Sequence, residues 1–162
     1  RMVAEYERNP TAYNLLKGGF SEQTLCGIIN SVPVKCRFDY INPDKGYIVD
    51  VKTSSYPSDI DSFSQVIKDF SYHLSAALYT QMAEDYYGKE FKFYFLVLSK
   101  STFTCDLYVV GQETRQKGAR EVATGLGKYK RAVESGIWTE LSGPISAATA
   151  AGESSDYEIL EV

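Results

Sequence analysis

The sequence is poor in the side chains that hold transition metals or form disulfides, with three cysteines and one histidine in 162 residues. Cys26, Cys36 and Cys105 are odd in number and include no CxxC pair, which excludes a full disulfide framework and a standard zinc site. They also cannot supply the four thiolates of an iron–sulfur cluster. We therefore expect reduced thiols in a cytoplasmic protein that uses neither zinc nor an iron–sulfur cluster.

Long apolar segments are also missing. No run approaches the ~18 consecutive apolar residues of a membrane helix, and no leader-like segment opens the chain, so we expect no membrane partner. The chain begins at Arg1, and we expect an N-terminal portion to be missing. With 44% hydrophobic and 23% charged residues, the composition is that of a globular domain.

Basic residues are absent from the last part of the chain, and this absence changes how the net charge of −4 is interpreted. Without that acidic end, the chain has 17 basic and 16 acidic residues. DNA therefore stays a candidate partner if the basic residues cluster. The acidic residues of this end are Glu140, Glu153, Asp156, Glu158 and Glu161.

The apolar pattern predicts the order helix, hairpin, helix, strand, strand, helix. The hairpin joins Val34–Ile41 to Tyr47–Thr53 across the turn signal 42–46. This order suits an α/β (α+β) fold in which helices flank a mixed sheet. We predict one domain over residues 1–141 and a flexible acidic tail over 142–162. The other predicted elements are a helix over 2–16 interrupted by Pro10, a helix from Ser58 to Gly88, strands Phe91–Leu98 and Thr104–Val110, and a basic helix Gln112–Ser135.

Two aspartates and a lysine on the hairpin are the candidate catalytic and metal-binding residues. Asp50 interrupts an apolar strand, where a charge is costly unless it is paired or bound to a metal. Lys52 leaves the same strand face two residues later, and Asp39 lies on the partner strand. Mg²⁺ takes one or two carboxylates together with water and phosphate oxygens, so Asp39, Asp50 and the Val51 carbonyl are candidate ligands. The alternative is an exposed Asp50–Lys52 salt bridge with no catalytic role.

The stretch Val34–Ser54 resembles the core of the PD-(D/E)XK nuclease superfamily, and most closely its RecE-type (exonuclease VIII) branch of phages and prophages. In that pattern an R-x-D on one strand, here Arg37 and Asp39, is followed by a D-x-K-T on the next, here 50–53. The features that extend the resemblance to roughly residues 20–140 are Tyr72, His73, Tyr79, the strand Phe91–Leu98 and the helix Gln112–Ser135.

The resemblance implies a Mg²⁺-dependent exonuclease on double-stranded DNA, in which Mn²⁺ can replace Mg²⁺. It implies that Asp39 and Asp50 bind the metal and that Lys52 is the catalytic lysine. Such enzymes degrade the 5′-ended strand, leave a 3′ overhang for a single-strand annealing recombinase, and form homo-oligomers.

Two departures keep a second interpretation open. Ser75 stands where relatives carry a Gln one turn before Tyr79, and no His precedes Asp39. The chain could therefore be a catalytically degenerate nuclease fold that serves as a DNA-binding or assembly module. A site-specific endonuclease is a third option, although the sequence shows no added recognition domain.

Further residues are candidates for lining the site or contacting DNA, each with a structural alternative. Glu22 lies about where relatives place an acidic residue on the first core element, and it is either a third metal-side carboxylate or a solvated glutamate. A lone His on a helix flank is more often structural, and a basic helix is more often a solvated face. The other candidates are Arg37, Thr53, Tyr72, His73, Ser75, Tyr79, Arg115, Lys117 and Arg120.

Overall fold

The computed structural model describes residues 2–138 and 159–161. Their strands form one sheet in chain order, in which β3 and β4 are parallel and the other neighbours are antiparallel. The predicted mixed sheet with flanking helices is confirmed. The strands are β1 (Phe20–Ile29), β2 (Val32–Asn42), β3 (Tyr47–Ser54), β4 (Lys92–Ser99), β5 (Cys105–Val110) and β6 (Ile159–Glu161). The helices are α1 (Met2–Arg8), α2 (Pro10–Leu15), α3 (Ile60–Phe70), α4 (Tyr72–Tyr87) and α5 (Gln112–Ser135).

Strands β2 and β3 form the predicted hairpin. Asn42 is buried and its Oδ1 accepts a hydrogen bond of 3.0 Å from the Lys45 backbone N–H, which closes the turn. The antiparallel ladder then includes three pairs, ending at Tyr40 and Val49. Beyond this pair the two strands separate, and the candidate residues of the site follow at once.

Two apolar clusters cover the two faces of the sheet. On one face, side chains of α3 and α4 pack with Phe38, Ile48 and Phe95 in the larger cluster. On the other face, α1 and α2 pack with Tyr40 and Val49. The alternation along β3 therefore places Ile48, and with it Asp50 and Lys52, on the α3–α4 side. None of the helices in the described ranges is long and apolar enough to cross a membrane.

The helix predicted from Ser58 to Gly88 is in fact two helices. Ser71 adopts a left-handed conformation with φ of 54°, and its N–H bonds to the carbonyls of the last turn of α3. The apolar spacing continues through this break, which is why periodicity alone predicted one helix. The break re-aims the chain and places Tyr72 at the start of α4.

Strand β1 was not predicted. It pairs with β2 along almost its whole length, but its outer positions are exposed and only Leu25 and Ile29 are buried, so the alternation in its sequence is weak. Glu22 has a φ of 54°, and the ladder is interrupted between Glu22 and Asp39.

The predicted tail also contains a strand. Ile159–Glu161 form β6, which pairs with Val110, Val109 and Tyr108 of β5. The interpretation of 142–162 as a flexible tail therefore does not extend to these three residues. Residues 142–158 lie outside the described part of the chain.

Helix α5 lies antiparallel to α4 at close range. A Cβ atom on Gly118 would lie 2.3 Å from the His73 carbonyl oxygen and 2.9 Å from Ala77 Cβ. The same atom on Gly125 would meet nothing within 4 Å. The absence of a side chain at Gly118 thus sets the distance between the two helices.

We expect Gly118→Ala to lower the free energy of unfolding by about 1–3 kcal/mol, because the added methyl collides with backbone of α4. Gly125→Ala in the same helix should instead raise it by roughly 0.5–1 kcal/mol through lower unfolded-state entropy and better helix propensity. Urea denaturation of both variants measures the difference. A stabilised Gly118→Ala variant would contradict the observed helix contact.

Candidate active site

The site begins where the β2–β3 ladder ends. Asp39 and Asp50 are the residues that follow the last pair, Tyr40 and Val49, in the same register. Their strands are separating, and Asp39 Oδ2 accepts a hydrogen bond of 2.8 Å from the Val51 backbone N–H. The carboxylate of Asp39 therefore takes the place of a backbone acceptor on β2 and lies between the two strands.

Asp50 is buried, with 6% of its surface exposed. Lys52 Nζ lies 2.6 Å from Asp50 Oδ2, so the lysine pairs with the aspartate on the shared face of β3. Burial raises the pKa of the Asp50 carboxyl, the Lys52 ammonium opposes this shift, and the nearby Asp39 carboxylate adds to it. A divalent cation near Asp39 and Asp50 would reduce the repulsion between their carboxylates.

The two aspartates fit the oxygen ligands that Mg²⁺ prefers. Asp39 Oδ2 accepts the hydrogen bond from Val51, and Asp50 Oδ2 is the oxygen that lies next to the Lys52 ammonium. In the described ranges no group of three or more His, Cys, Asp or Glu side chains could hold a metal. A cation at this site would therefore rest on Asp39 and Asp50 and complete its shell with water or phosphate oxygens. Val51 gives its N–H to Asp39, and its carbonyl as a ligand stays a prediction.

Glu22 does not join the two aspartates as a third carboxylate. Its Oε2 lies 3.1 Å from Arg37 Nε, and both side chains are largely exposed, at 60% for Glu22 and 69% for Arg37. Glu22 also has a left-handed backbone conformation at this surface position. Glu22 is therefore a solvated glutamate, and it pairs with Arg37.

One face of α4 closes the site. Tyr72, Ser75 and Tyr79 are spaced i, i+3, i+7, as the sequence indicated. Lys52 Nζ lies 4.3 Å from the centre of the Tyr72 ring. Burial raises the pKa of Tyr79, nearby Cys36, Asp50 and Asp39 raise it further, and Lys52 opposes them, so this phenol lies close to both aspartates.

The same helix turns His73 away from the site. His73 is buried and its Nε2 lies 2.9 Å from Glu121 Oε2 of α5. Of the two roles considered for His73, the structure shows the structural one, at the α4–α5 interface, and not that of lining the site.

Arg115 lies at the other end of the sheet from the site. Its Nη1 donates a hydrogen bond of 3.3 Å to the Phe91 carbonyl, one residue before β4. Lys52 pairs with Val97 on β4, five residues beyond Lys92, which is about 16 Å along a strand. Arg115 therefore contacts the connection into β4 and does not line the site, and as a DNA contact it stays a prediction. Thr53 is exposed and lies on the opposite face of β3 from Lys52. Lys117 and Arg120 as DNA contacts stay predictions.

Sequence reasoning did not identify the aromatic support of the site. Tyr72 packs on Phe95 at 5.9 Å between ring centres and stacks on Phe70 at 5.6 Å. The signal was present in part, because Phe70 and Tyr72 flank Ser71. The helix break at Ser71, which brings the two rings together, was not visible in the pattern.

Residues 1–150 match the family model described as a PDDEXK-like domain of unknown function (DUF3799). The chain belongs to this family. The strands and the helix α4 that position Asp39, Asp50 and Lys52 all lie within the matched residues. No curated protein gives a significant match.

The solved structures that match this chain include two proteins from different sources. One, from Eubacterium rectale, is provisionally described as an exonuclease and has a TM-score of 0.72 at 18% identity. The match covers 85% of this chain and 53% of that protein, so the chain spans about half the length of this relative. The other, SSO0001, has a TM-score of 0.44 at 15% identity, with 75% of this chain and 64% of that one covered. The first similarity shows the fold, and the second carries no argument.

We expect Asp50→Asn to stabilise the fold at pH 8 without divalent cations. Because burial raises the Asp50 pKa despite Lys52, the ionised carboxylate costs stability, and this cost appears as the pH rises through the folded-state pKa. The gain should appear as a higher melting temperature at pH 8 and should vanish below the ordinary pKa of aspartate.

Thermal melts of the wild type and Asp50→Asn at pH 8 and at acidic pH measure this gain. The control is Asp44→Asn in the exposed hairpin turn, which should change the melting temperature little. A large loss for Asp50→Asn at pH 8 would show that the ion pair with Lys52 outweighs the burial of the charge.

Proposed function

We propose that the protein is a Mg²⁺-dependent deoxyribonuclease that degrades linear double-stranded DNA from its ends. The observation that carries this proposal is the group formed where β2 and β3 separate. There Asp39 and Asp50 follow the last backbone pair of the hairpin, burial and the Asp39 charge both raise the pKa of Asp50, and Lys52 Nζ lies 2.6 Å from Asp50 Oδ2. Membership of the PDDEXK-like family supports the same reaction class.

Each residue has a role that follows from its position. The Val51 N–H holds the Asp39 carboxylate in a fixed direction, and Lys52 pairs with Asp50. These two carboxylates would hold the divalent cation. When bound, such a cation neutralises phosphate charge and makes water more acidic.

Lys52 brings a positive charge that cannot itself ligate a metal. Its side chain is 23% exposed, so the ammonium lies at the border between the buried face of β3 and solvent. From this position it can donate to a phosphate oxygen as negative charge develops during hydrolysis. It can also orient the attacking water from the same side as Asp50.

The finer features of the function rest on the resemblance to RecE-type exonucleases. They are digestion in the 5′-to-3′ direction, a 3′ single-stranded product passed to an annealing recombinase, a homo-oligomeric assembly and a cytoplasmic location. The similar Eubacterium rectale structure is also described as an exonuclease. A role in phage or prophage recombination is proposed on the same basis.

A second candidate is a catalytically degenerate fold that binds DNA or assembles with other proteins. Its support is Ser75, which replaces the Gln of RecE-type relatives on the site face of α4. In that case the Asp50–Lys52 pair is structural, and divalent cations should not stabilise the protein. Metal titration therefore distinguishes the two candidates.

Substitution of Lys52 tests the mechanism. Lys52→Ala should keep Mn²⁺ binding or tighten it slightly, because a neighbouring positive charge is removed. Cleavage should fall by about 10²–10³, the size of one lost transition-state contact. Asp50→Ala should lose both metal binding and cleavage.

The measurements are nucleotide release from linear duplex in Mg²⁺ and Mn²⁺ affinity by calorimetry. Lys45→Ala is the matched control, because Lys45 is exposed in the turn at the opposite end of β3. Cleavage by Lys52→Ala at the wild-type rate would exclude the proposed mechanism even though the fold is that of the family.

A comparison of linear duplex with covalently closed circular DNA of the same sequence tests the exonuclease assignment. Digestion of the linear form alone is expected, since the proposed enzyme starts at an end. Cuts in the circle at defined positions would instead indicate an endonuclease. A 5′-labelled and a 3′-labelled duplex in the same assay give the direction of digestion.

A further inference from the structure

The ammonium of Lys52 has two neighbours of different kinds. One is the carboxylate of Asp50 at 2.6 Å, and the other is the ring of Tyr72, whose centre lies 4.3 Å from Nζ. That second distance is within the range of a cation–π contact. Since Tyr72 belongs to α4 and Asp50 to β3, the lysine is held from two different elements of the fold.

The Tyr72 ring is itself fixed by packing. Phe95 is fully buried, lies beside Asp50 in the β3–β4 register, and contacts the ring of Tyr72. Phe70 stacks on the same ring with an angle of 25° between the planes. Neighbouring rings therefore contact Tyr72 from two sides, the buried Phe95 and the largely exposed Phe70.

The aromatic contact of Lys52 matters because the other partner of this lysine, Asp50, is a proposed metal ligand. A cation bound to Asp50 competes with Lys52 for the carboxylate, which weakens the ion pair. The ring of Tyr72 is a poor ligand for a hard cation and keeps its attraction for the ammonium. Without the ring, a flexible lysine that is 23% exposed would spread over many rotamers.

We propose that Tyr72 is a positioning residue whose ring face holds the Lys52 ammonium at the active site when the Asp50 carboxylate is engaged by a cation. The kinetic consequences rest on the proposed nuclease function, whereas the contact itself does not. The face of the ring carries the effect, so the hydroxyl is dispensable.

This assignment gives a distinct pattern of substitutions. Tyr72→Phe keeps the ring and should keep kcat within about 2-fold. Tyr72→Leu removes it and should lower kcat by roughly 5- to 30-fold with little change in KM. In a Lys52→Ala background Tyr72→Leu should have no further effect, because the cation that the ring holds is already gone.

A second readout needs no activity. Protons on the Lys52 carbon next to Nζ lie near the ring of Tyr72, so ring currents should shift their NMR signals upfield. Lys52→Ala identifies these signals by removing them. The shift should persist in Tyr72→Phe and disappear in Tyr72→Leu.

The control is Tyr86→Leu, an exposed tyrosine near the far end of α4, which should change neither kcat nor the lysine signals. Full activity of Tyr72→Leu beside a weak Lys52→Ala variant would overturn the positioning role alone. No cleavage by the wild type would overturn the proposed nuclease function, and the lysine signals would still decide the contact. Unshifted Lys52 signals in the wild type would overturn the contact even if Tyr72→Leu failed to fold.

Discussion

The site depends on one interaction, the hydrogen bond from the Val51 N–H to the Asp39 carboxylate at 2.8 Å. A hairpin that stayed paired would satisfy this N–H with a backbone carbonyl of β2. The ladder instead ends at Tyr40 and Val49, and a side chain takes over the acceptor role. An unsatisfied buried N–H would cost roughly 1–3 kcal/mol, so Asp39 permits the strands to separate at little cost. Asp50 directly follows Val49 at this point, and its pKa is raised by burial and in part by the charge of Asp39.

The separation places a charged residue in a buried setting, and the surroundings offset that cost only in part. Lys52 pairs with Asp50, yet burial still raises the pKa of the carboxyl. A site of this kind is less stable than an apolar strand would be, and a divalent cation would recover part of the loss. Under the proposed function, the same feature that destabilises the fold would favour a bound cation.

The hairpin was predictable because its signals are local. Alternation in Val34–Ile41 and Tyr47–Thr53 together with the turn at 42–46 fixes both strands and the faces of Asp50 and Lys52. Three features were not predictable from local pattern. The first is strand β1, which has one half-exposed face. The second is the break at Ser71, which lies inside a continuous apolar period. The third is the roles of His73 and Arg115, which are set by contacts with residues 48 and 24 positions away in the sequence. Long-range pairing of this kind leaves no periodic trace in the sequence.

The contacts between α4 and α5 connect the overall fold to the site. His73 bonds to Glu121, and Gly118 lets the backbone of α5 approach the His73 carbonyl. These contacts fix the rotation of α4 about its axis. Successive residues of a helix differ by about 100° in direction, so the rotation that buries His73 against α5 also turns Tyr72 toward Lys52. Helix α5 therefore influences the candidate site through the orientation of α4, the helix between them.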